Sequence, residues 1–562
     1  MIPLQRWHLW LLIPVVFVLL WWVVLPNMHL LAESLQGESG LSLQHYGRFW
    51  NSPAHRQALV NSVALSLGSV VLAGAIGIPL AFLFSWYEFP GRRLLSVLAS
   101  LPVLLPPLVG VIAFLFLYGE SGIFTRLIQR AFGLAEPPLT LRGWWALLLV
   151  HAYSMYVYFY LLVSAALERL DPALLEAAAT LGASRRRVLA RIALPLIVPG
   201  IVGGALLTFM SSMASFSAPY VFGGGVRVLS MQIYNSKLSG DLPLALVDTV
   251  LLALVSLFFL ALLQSVESRG RYTGGIKGAS AIRRPIQSGA KRLVFGLAGS
   301  LAVIALLLPH LTVLLISFVA EGSWTTEILP PRYTFENYVR LWNDPQFFDP
   351  IRNSLAMALV ATAGNIVFGV AAAYLLVRVR FRGRSIVTAL TLIPWAIPGT
   401  VLAMELATFF SSHQPGRGRL LLVGTFWILP LAYFLRNIPI LVRGVQTSLQ
   451  QLDVALEEAA LSLGATRFYL FRRVILPLAL PGIAAGSMLA FTLALGEFVA
   501  SILLFNLQNR PISIEILSQI RSFNFGGAAA YSVLLIVLIG LTFAVGQRWT
   551  GRRTSPQSQI VN

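Results

Sequence analysis

Twelve stretches of this chain are each long and apolar enough to cross the hydrocarbon of a bilayer, and no other feature limits its fold as severely. They lie near 9–26, 58–85, 94–118, 144–165, 196–220, 243–265, 294–318, 353–377, 385–410, 420–442, 478–505 and 530–547. About 20 apolar residues span the core as a helix. Inside lipid only a helix or a closed barrel satisfies its own backbone. Runs of this length predict an all-α polytopic membrane protein of about twelve transmembrane helices. Charged residues make up only 11% of the chain, against roughly 25% in soluble domains. Cysteine is absent, which removes disulfides, thiolate metal sites and cysteine nucleophiles from consideration. The net charge of +19 does not argue for nucleic acid, because the cations gather at the ends of the apolar runs.

That distribution sets the orientation. With the N-terminus inside, the inside loops and termini hold 26 of the 41 Lys and Arg residues, the outside loops hold 14, and Arg436 falls within a span. The loop 266–293 alone carries Arg269, Arg271, Lys277, Arg283, Arg284, Lys291 and Arg292. An excess of cations marks the cytoplasmic side, so both termini are expected in the cytoplasm. The first run ends in Val-Val-Leu-Pro26 without a small-x-small cleavage site. It therefore reads as a retained helix rather than a signal peptide.

The chain also repeats itself. Asn61-Ser62, Gly91-Arg92, Pro102 and Pro106 answer Asn353-Ser354, Gly383-Arg384, Pro394 and Pro398 at a spacing of 292 residues. Further on, Leu170-Asp171 through Pro199-Gly200 answers Leu452-Asp453 through Pro481-Gly482 at a spacing of 282. About ten extra residues thus lie in the first half, most naturally in the outside loop 119–143. Six spans per half, an even number, give the halves one orientation and predict a parallel pseudo-dimer. The expected organisation is a first repeat 1–265, a basic linker 266–293 rich in glycine, and a second repeat 294–562.

The polar segments 170–200 and 452–482 lie on the cytoplasmic side in this topology. In the first, Asp171 is a good N-cap and Pro172 suits the first helical position. Ala173 to Leu181 are mostly strong helix formers, and Gly182 can end the helix in a left-handed conformation. Ser184 can cap a second helix bearing Arg185, Arg186, Arg187 and Arg191. A short helix, a sharp turn and a basic helix entering the membrane should result. Ala177 and Ala178 are small and permit close approach by another protein.

Both segments resemble the EAA signature of the membrane subunits of bacterial ABC importers: Glu-Ala-Ala, three residues, Gly, nine residues, Ile, one residue, Leu-Pro. The first copy fits throughout, with Glu176, Ala177, Ala178, Gly182, Ile192, Leu194 and Pro195. The second has Glu458, Ala459, Ala460 and Gly464, with Val474 in place of the Ile. The resemblance implies that these residues form coupling helices seated on two cytoplasmic ATPase subunits. It also implies a bacterial inner-membrane location and a periplasmic or lipid-anchored solute-binding protein as donor. The fused arrangement is similar to the iron(III), thiamine and 2-aminoethylphosphonate permeases. Leu167 to Pro172 and Ser215-Phe216 followed by Gly223-Gly224-Gly225 most resemble the iron(III) type, which makes ferric iron the first expectation for the solute. Thiamine, phosphonate and polyamine are the alternatives.

The chain has no Gly-x-x-x-x-Gly-Lys-Ser/Thr, and Gly223-Gly224-Gly225 has no following Lys, so no phosphate cradle is present. ATP and Mg are expected only on the partner subunits, with no cofactor, metal site or catalytic residue in this chain. A secondary carrier with Glu405 and Glu497 as proton carriers is the competing class, but it has no use for a duplicated docking helix.

Within the spans lie His151, Glu405, Arg436 and Glu497, with Asp248 near a span end where it can reach water. A central charge costs roughly 2.5–3.5 kcal/mol on insertion scales, so these groups should face the bundle interior and be paired or wet. Arg436 is expected to pair with Glu497 or Glu405. The corresponding first-half positions, Ser154, Ser215 and Ala113, are neutral. Ser215, Phe216, Glu497 and Phe498, just after the repeated segments, are expected with Glu405 and Arg436 along the translocation path. Tyr153, Tyr156 and Tyr160 share a helical face that suits packing better than a pathway.

Overall fold

The computed structural model describes residues 2–3, 5–37, 40–269, 284–286, 288–324, 327–411 and 421–551. The middle of the expected linker, with Gly270, Arg271, Gly274, Gly275, Lys277, Gly278 and Arg283, lies outside them. Eleven helices among the described residues are long and apolar enough to span a membrane. The pair Arg384–Ala396 and Gly399–Ser411, bent by 105°, makes a twelfth candidate when counted as one broken span. The strands among the described residues are two-residue pairs.

Proline and glycine fix where the spans break. The expected span 94–118 is in fact a helix Arg92–Ser100, a 3₁₀ turn Leu101–Leu104 and a helix Pro107–Tyr118. Pro102, Pro106 and Pro107 interrupt it, because a proline inside a helix removes a donor and collides with the preceding turn. Two further spans are shorter than hydropathy indicates. The expected 196–220 ends at Met213, and 478–505 ends at Leu495. A short helix follows each, Ser217–Phe222 and Val499–Leu504. The expected 420–442 is displaced to Ile428–Gln451.

Contacts divide the chain into two compact units, His45–Thr334, and Met1–Gln44 together with Phe335–Asn562. The repeats expected at 1–265 and 294–562 follow chain order, whereas the packing units trade leading helices. The first membrane helix, Arg6–Ser34, packs on Pro345–Arg378 and Gly399–Ser411. The helix Gly289–Ile316 packs on Pro107–Tyr118 and Arg92–Ser100. The strands follow the same exchange. Ile2–Pro3 pairs in parallel with Val379–Arg380, and Arg284–Pro285 pairs with Tyr87–Glu88.

Within each unit the main contact is between the second and fourth spans of the repeat. In one unit these are Pro53–Trp86 and Gly143–Glu168; in the other they are Pro345–Arg378 and Ile428–Gln451. Small residues permit this closeness, as expected where lipid supplies no hydrophobic drive between helices. A side chain at Gly77 would collide with the Tyr156 carbonyl, and one at Gly369 with the Leu441 side chain. Gly91 and Gly383 turn the chain after equivalent helices with φ of 76° and 86°, a conformation that costs glycine little.

Candidate functional site

The two repeated polar segments fold alike, as elbows. Asp171 accepts a hydrogen bond from the Ala173 N–H at 2.9 Å, and Asp453 accepts one from Ala455 at 3.0 Å. The helices Pro172–Thr180 and Val454–Ser462 follow. Each ends at its glycine, with φ of 76° at Gly182 and 83° at Gly464. The Ala183 N–H then bonds to the Ala178 carbonyl, and Ala465 to Ala460, the paired-carbonyl closure of a glycine-capped helix. Ser184 and Thr466 cap the next helix by accepting from Arg187 and Tyr469. Both elbows enter the membrane helix through a π-turn, Leu189–Ala193 and Phe471–Ile475.

The elbows present the same face. Glu176, Ala177, Glu458 and Ala459 are exposed, Ala178 and Ala460 are half-exposed, and Gly182 and Gly464 are exposed. The acid just before the second Glu-Ala-Ala behaves differently. Glu457 is buried, with its Oε1 at 2.6 Å from Arg378 Nε. Burial pushes its carboxyl above the usual range, and the guanidinium pulls it back.

Beyond each elbow the long helix stops and the chain breaks, at Ala214–Phe216 and at Gly496–Phe498. The two breaks are tied down by the same bonds. Ser62 Oγ accepts from the Leu229 N–H, and Ser354 Oγ from Ile512, each at 2.8 Å. Asn61 donates to the Arg227 carbonyl, and Asn353 to the Gln508 and Arg510 carbonyls. Ser230 donates to the Ser215 carbonyl, and Ser513 to the Glu497 carbonyl. The Asn-Ser pairs recognised in the sequence are thus the anchors of the broken segments.

What the breaks carry differs between halves. In the second, Arg436 Nε lies 3.0 Å from Glu497 Oε2, with side-chain exposures of 29% and 9%. Glu497 Oε1 accepts the Ala500 N–H and so caps the helix Val499–Leu504. The guanidinium lies against Gly399 at the bend of the ninth span, where an added Cβ would come 2.9 Å from Arg436 Nη1. Tyr433 meets Ser501 at 2.7 Å, and Ser501 donates to the Glu497 carbonyl. In the first half His151 takes the place of Tyr433. Its Nδ1 is 2.9 Å from Ser69 Oγ and 3.1 Å from Ser212 Oγ, and its Nε2 is 2.9 Å from Ser215 Oγ.

The structure therefore resolves the expected pairing of Arg436 in favour of Glu497. Glu405 is 1% exposed, and its Oε2 has no hydrogen-bond partner among the described residues. Phe216 and Phe498 are buried, while Ser215 is half-exposed. Asp248 does not reach water: it is fully buried, with its carboxylate 2.8 Å from His55 Nδ1. The tyrosine face packs, as expected. Tyr153, Tyr156 and Tyr160 donate to the carbonyls of Leu306, Ala99 and Ser96. Sequence reasoning missed Tyr433, Arg378 and Glu457. The one available signal was the doubled acid Glu457-Glu458, of which the repeated motif uses only the second.

Comparison with known proteins matches the sequence to a family. The model for the binding-protein-dependent transport system inner membrane component matches twice, over residues 73–272 and 365–556. Each match opens 292 residues from the other, inside equivalent helices, and leaves the exchanged leading helix out. The probable ABC transporter permease protein y4fN of Sinorhizobium fredii is 30% identical over 99% of both chains. The ferric transport system permease protein FbpB of Actinobacillus pleuropneumoniae is 24% identical, over 98% of this chain and 79% of that one. The sulfate transport system permease protein CysT of Salmonella typhimurium is 35% identical, over 39% of this chain and 83% of its own. With two family domains in one polypeptide, each bearing an elbow and a broken helix, the chain belongs to the binding-protein-dependent ABC permeases and is a fused two-half member of that family.

Proposed function

We propose that this permease imports a small solute, with ferric iron as first choice, using ATP hydrolysed by two separate subunits seated on its elbows. The observation that carries the reading is the matched pair of faces, Glu176-Ala177-Ala178 and Glu458-Ala459-Ala460, each on a short capped helix that a glycine turn joins to a membrane helix. In this reading both elbows and both termini are cytoplasmic and the two breaks face the opposite side, where a solute-binding protein delivers its load. Closure of the ATPase pair draws the elbows together and favours the outward-open arrangement. Release after hydrolysis restores the inward-open one, because a partner shifts such an equilibrium only through its differing affinity for the two states.

We assign the breaks at Ser215-Phe216 and Glu497-Phe498 to the gate, with Arg436 beside the second. Alignment of a ferric transport permease with 98% of this chain supports the choice of solute. Proteoliposomes containing this chain, its ATPase and an iron-loaded binding protein should take up ferric iron in an ATP-dependent, vanadate-sensitive manner. Uptake by this chain alone under a proton gradient would overturn the proposal. ATP-driven uptake of sulfate but not iron would overturn the choice of solute alone.

A further inference from the structure

The two elbows match in backbone but not in how they are tied to the membrane helices. The helices Pro53–Trp86 and Pro345–Arg378 are equivalent, each of 34 residues, and their last residues are Trp86 and Arg378. The elbow positions corresponding to each other are Leu175 and Glu457, both buried. At these two positions the first half has Trp86 and Leu175 where the second has an ion pair. That pair is nearly dry, with side-chain exposures of 8% for Arg378 and 4% for Glu457. The contact at 2.6 Å is not aligned as a hydrogen bond, but the attraction between opposite charges at that separation does not need alignment. Arg378 also donates through Nη2 to the Leu452 carbonyl at 3.1 Å, the residue just before the cap Asp453.

Two more contacts hold the same elbow. The Arg467 guanidinium lies 5.8 Å from the centre of the Trp7 ring, within cation–π range. Phe471, in the π-turn, meets Tyr374 edge-on with ring centres 5.7 Å apart. Tyr374 lies one turn before Arg378 on the same helix, so the elbow is gripped at its start and at its turn. The first-half counterpart of Phe471 is Leu189, which is 40% exposed.

We propose that Arg378 and Glu457 are a positioning pair that locks the second elbow to the span Pro345–Arg378, so that thrust from the ATPase enters that span directly, while the first elbow carries no charge at either of the two equivalent positions, Trp86 and Leu175. The proposal rests on the docking reading above. Glu458 faces outward to the motor and Glu457 inward to the span, so adjacent acids divide the two tasks. A buried charge whose partner is deleted is strongly unfavourable, whereas replacing both partners by apolar residues is tolerated. The pair is therefore expected to fail singly and recover doubly.

The test compares Arg378→Met, the milder Glu457→Gln, and the double variant Arg378→Trp/Glu457→Leu, which carries the first-half chemistry. A spin label at Ala459 in nanodiscs, without any ATPase, should become mobile in both single variants and stay immobile in the double. A label at Ala177 should change in none of them. In the assembled transporter each single variant should import at least tenfold less solute per ATP hydrolysed, and the double should return to within threefold of the parent. An immobile Ala459 label in both single variants overturns the lock, as does an unchanged ratio of import to hydrolysis. Should the parent complex show no ATP-driven uptake while the labels behave as described, the docking reading fails and the lock stands.

Discussion

Arg436→Ala tests whether the charged break of the second half is mechanical. At 3.0 Å two unit charges attract by about 5 kcal/mol at an effective dielectric of about 20. The guanidinium is 29% exposed, so it is not wholly desolvated by protein, and Glu497 keeps its bond from the Ala500 N–H. Those two facts bring the expected loss to about 2–3 kcal/mol, at or below the low end of the cost of orphaning a buried ion. The loss falls on the short helix Val499–Leu504 rather than on the whole bundle, since Glu497 caps that helix. A free-energy change of this size alters a two-state population by about 30- to 150-fold. Import should fall at least tenfold at near-normal abundance, measured by solute uptake beside quantitative immunoblotting. Adding Glu497→Gln should recover part of the loss, because no unpaired charge then remains. Normal uptake by Arg436→Ala at normal abundance would refute the reasoning, and so would a double variant no better than the single.

Other contacts yield sharp expectations. Ser62→Ala and Ser354→Ala each orphan a buried backbone N–H, at Leu229 and Ile512. Each should cost about 1–3 kcal/mol, read as a lower unfolding midpoint of the purified protein; an unchanged midpoint contradicts the anchoring role. His55→Phe leaves Asp248 buried without its partner and should destabilise by about 3 kcal/mol or more. The pair His55→Phe/Asp248→Tyr copies Phe347 and Tyr531, which stack in the second half. Failure of the double to recover stability would show that the halves are not interchangeable there. Asn365 is fully buried, and its amide makes no hydrogen bond among the described residues. Asn365→Leu should therefore be neutral or stabilising, and a fall in midpoint with lost uptake would reveal a partner for that amide.

The sequence announces the broad architecture because membrane physics leaves few choices. Runs of apolar residues must be helices, and two such sets with matching Asn-Ser, Gly-Arg and Glu-Ala-Ala markers must be related domains. The elbows were legible almost atom by atom, because Asp171, Gly182 and Ser184 act on their own backbone. The ends of the spans at Met213 and Leu495 were not, since an apolar residue looks the same before and after a break. Nor was the exchange of leading helices, because hydropathy records that Arg6–Ser34 needs lipid but not which helix it packs against. The pairs His55–Asp248 and Arg378–Glu457 join residues far apart in the chain, and only packing brings them together. Arg436 could be seen to need a partner, but choosing Glu497 over Glu405 required the bend at Gly399.

The central claim, that both elbows are seats for separate motor subunits, is tested most directly by crosslinking in native membranes. A photoreactive residue at Ala177 and another at Ala459, both exposed on the shared face, should each capture the same nucleotide-hydrolysing protein, and ATP with vanadate should change the yield at both. Capture at neither position, or labelling of either residue by an impermeant reagent from the periplasmic side, would contradict it.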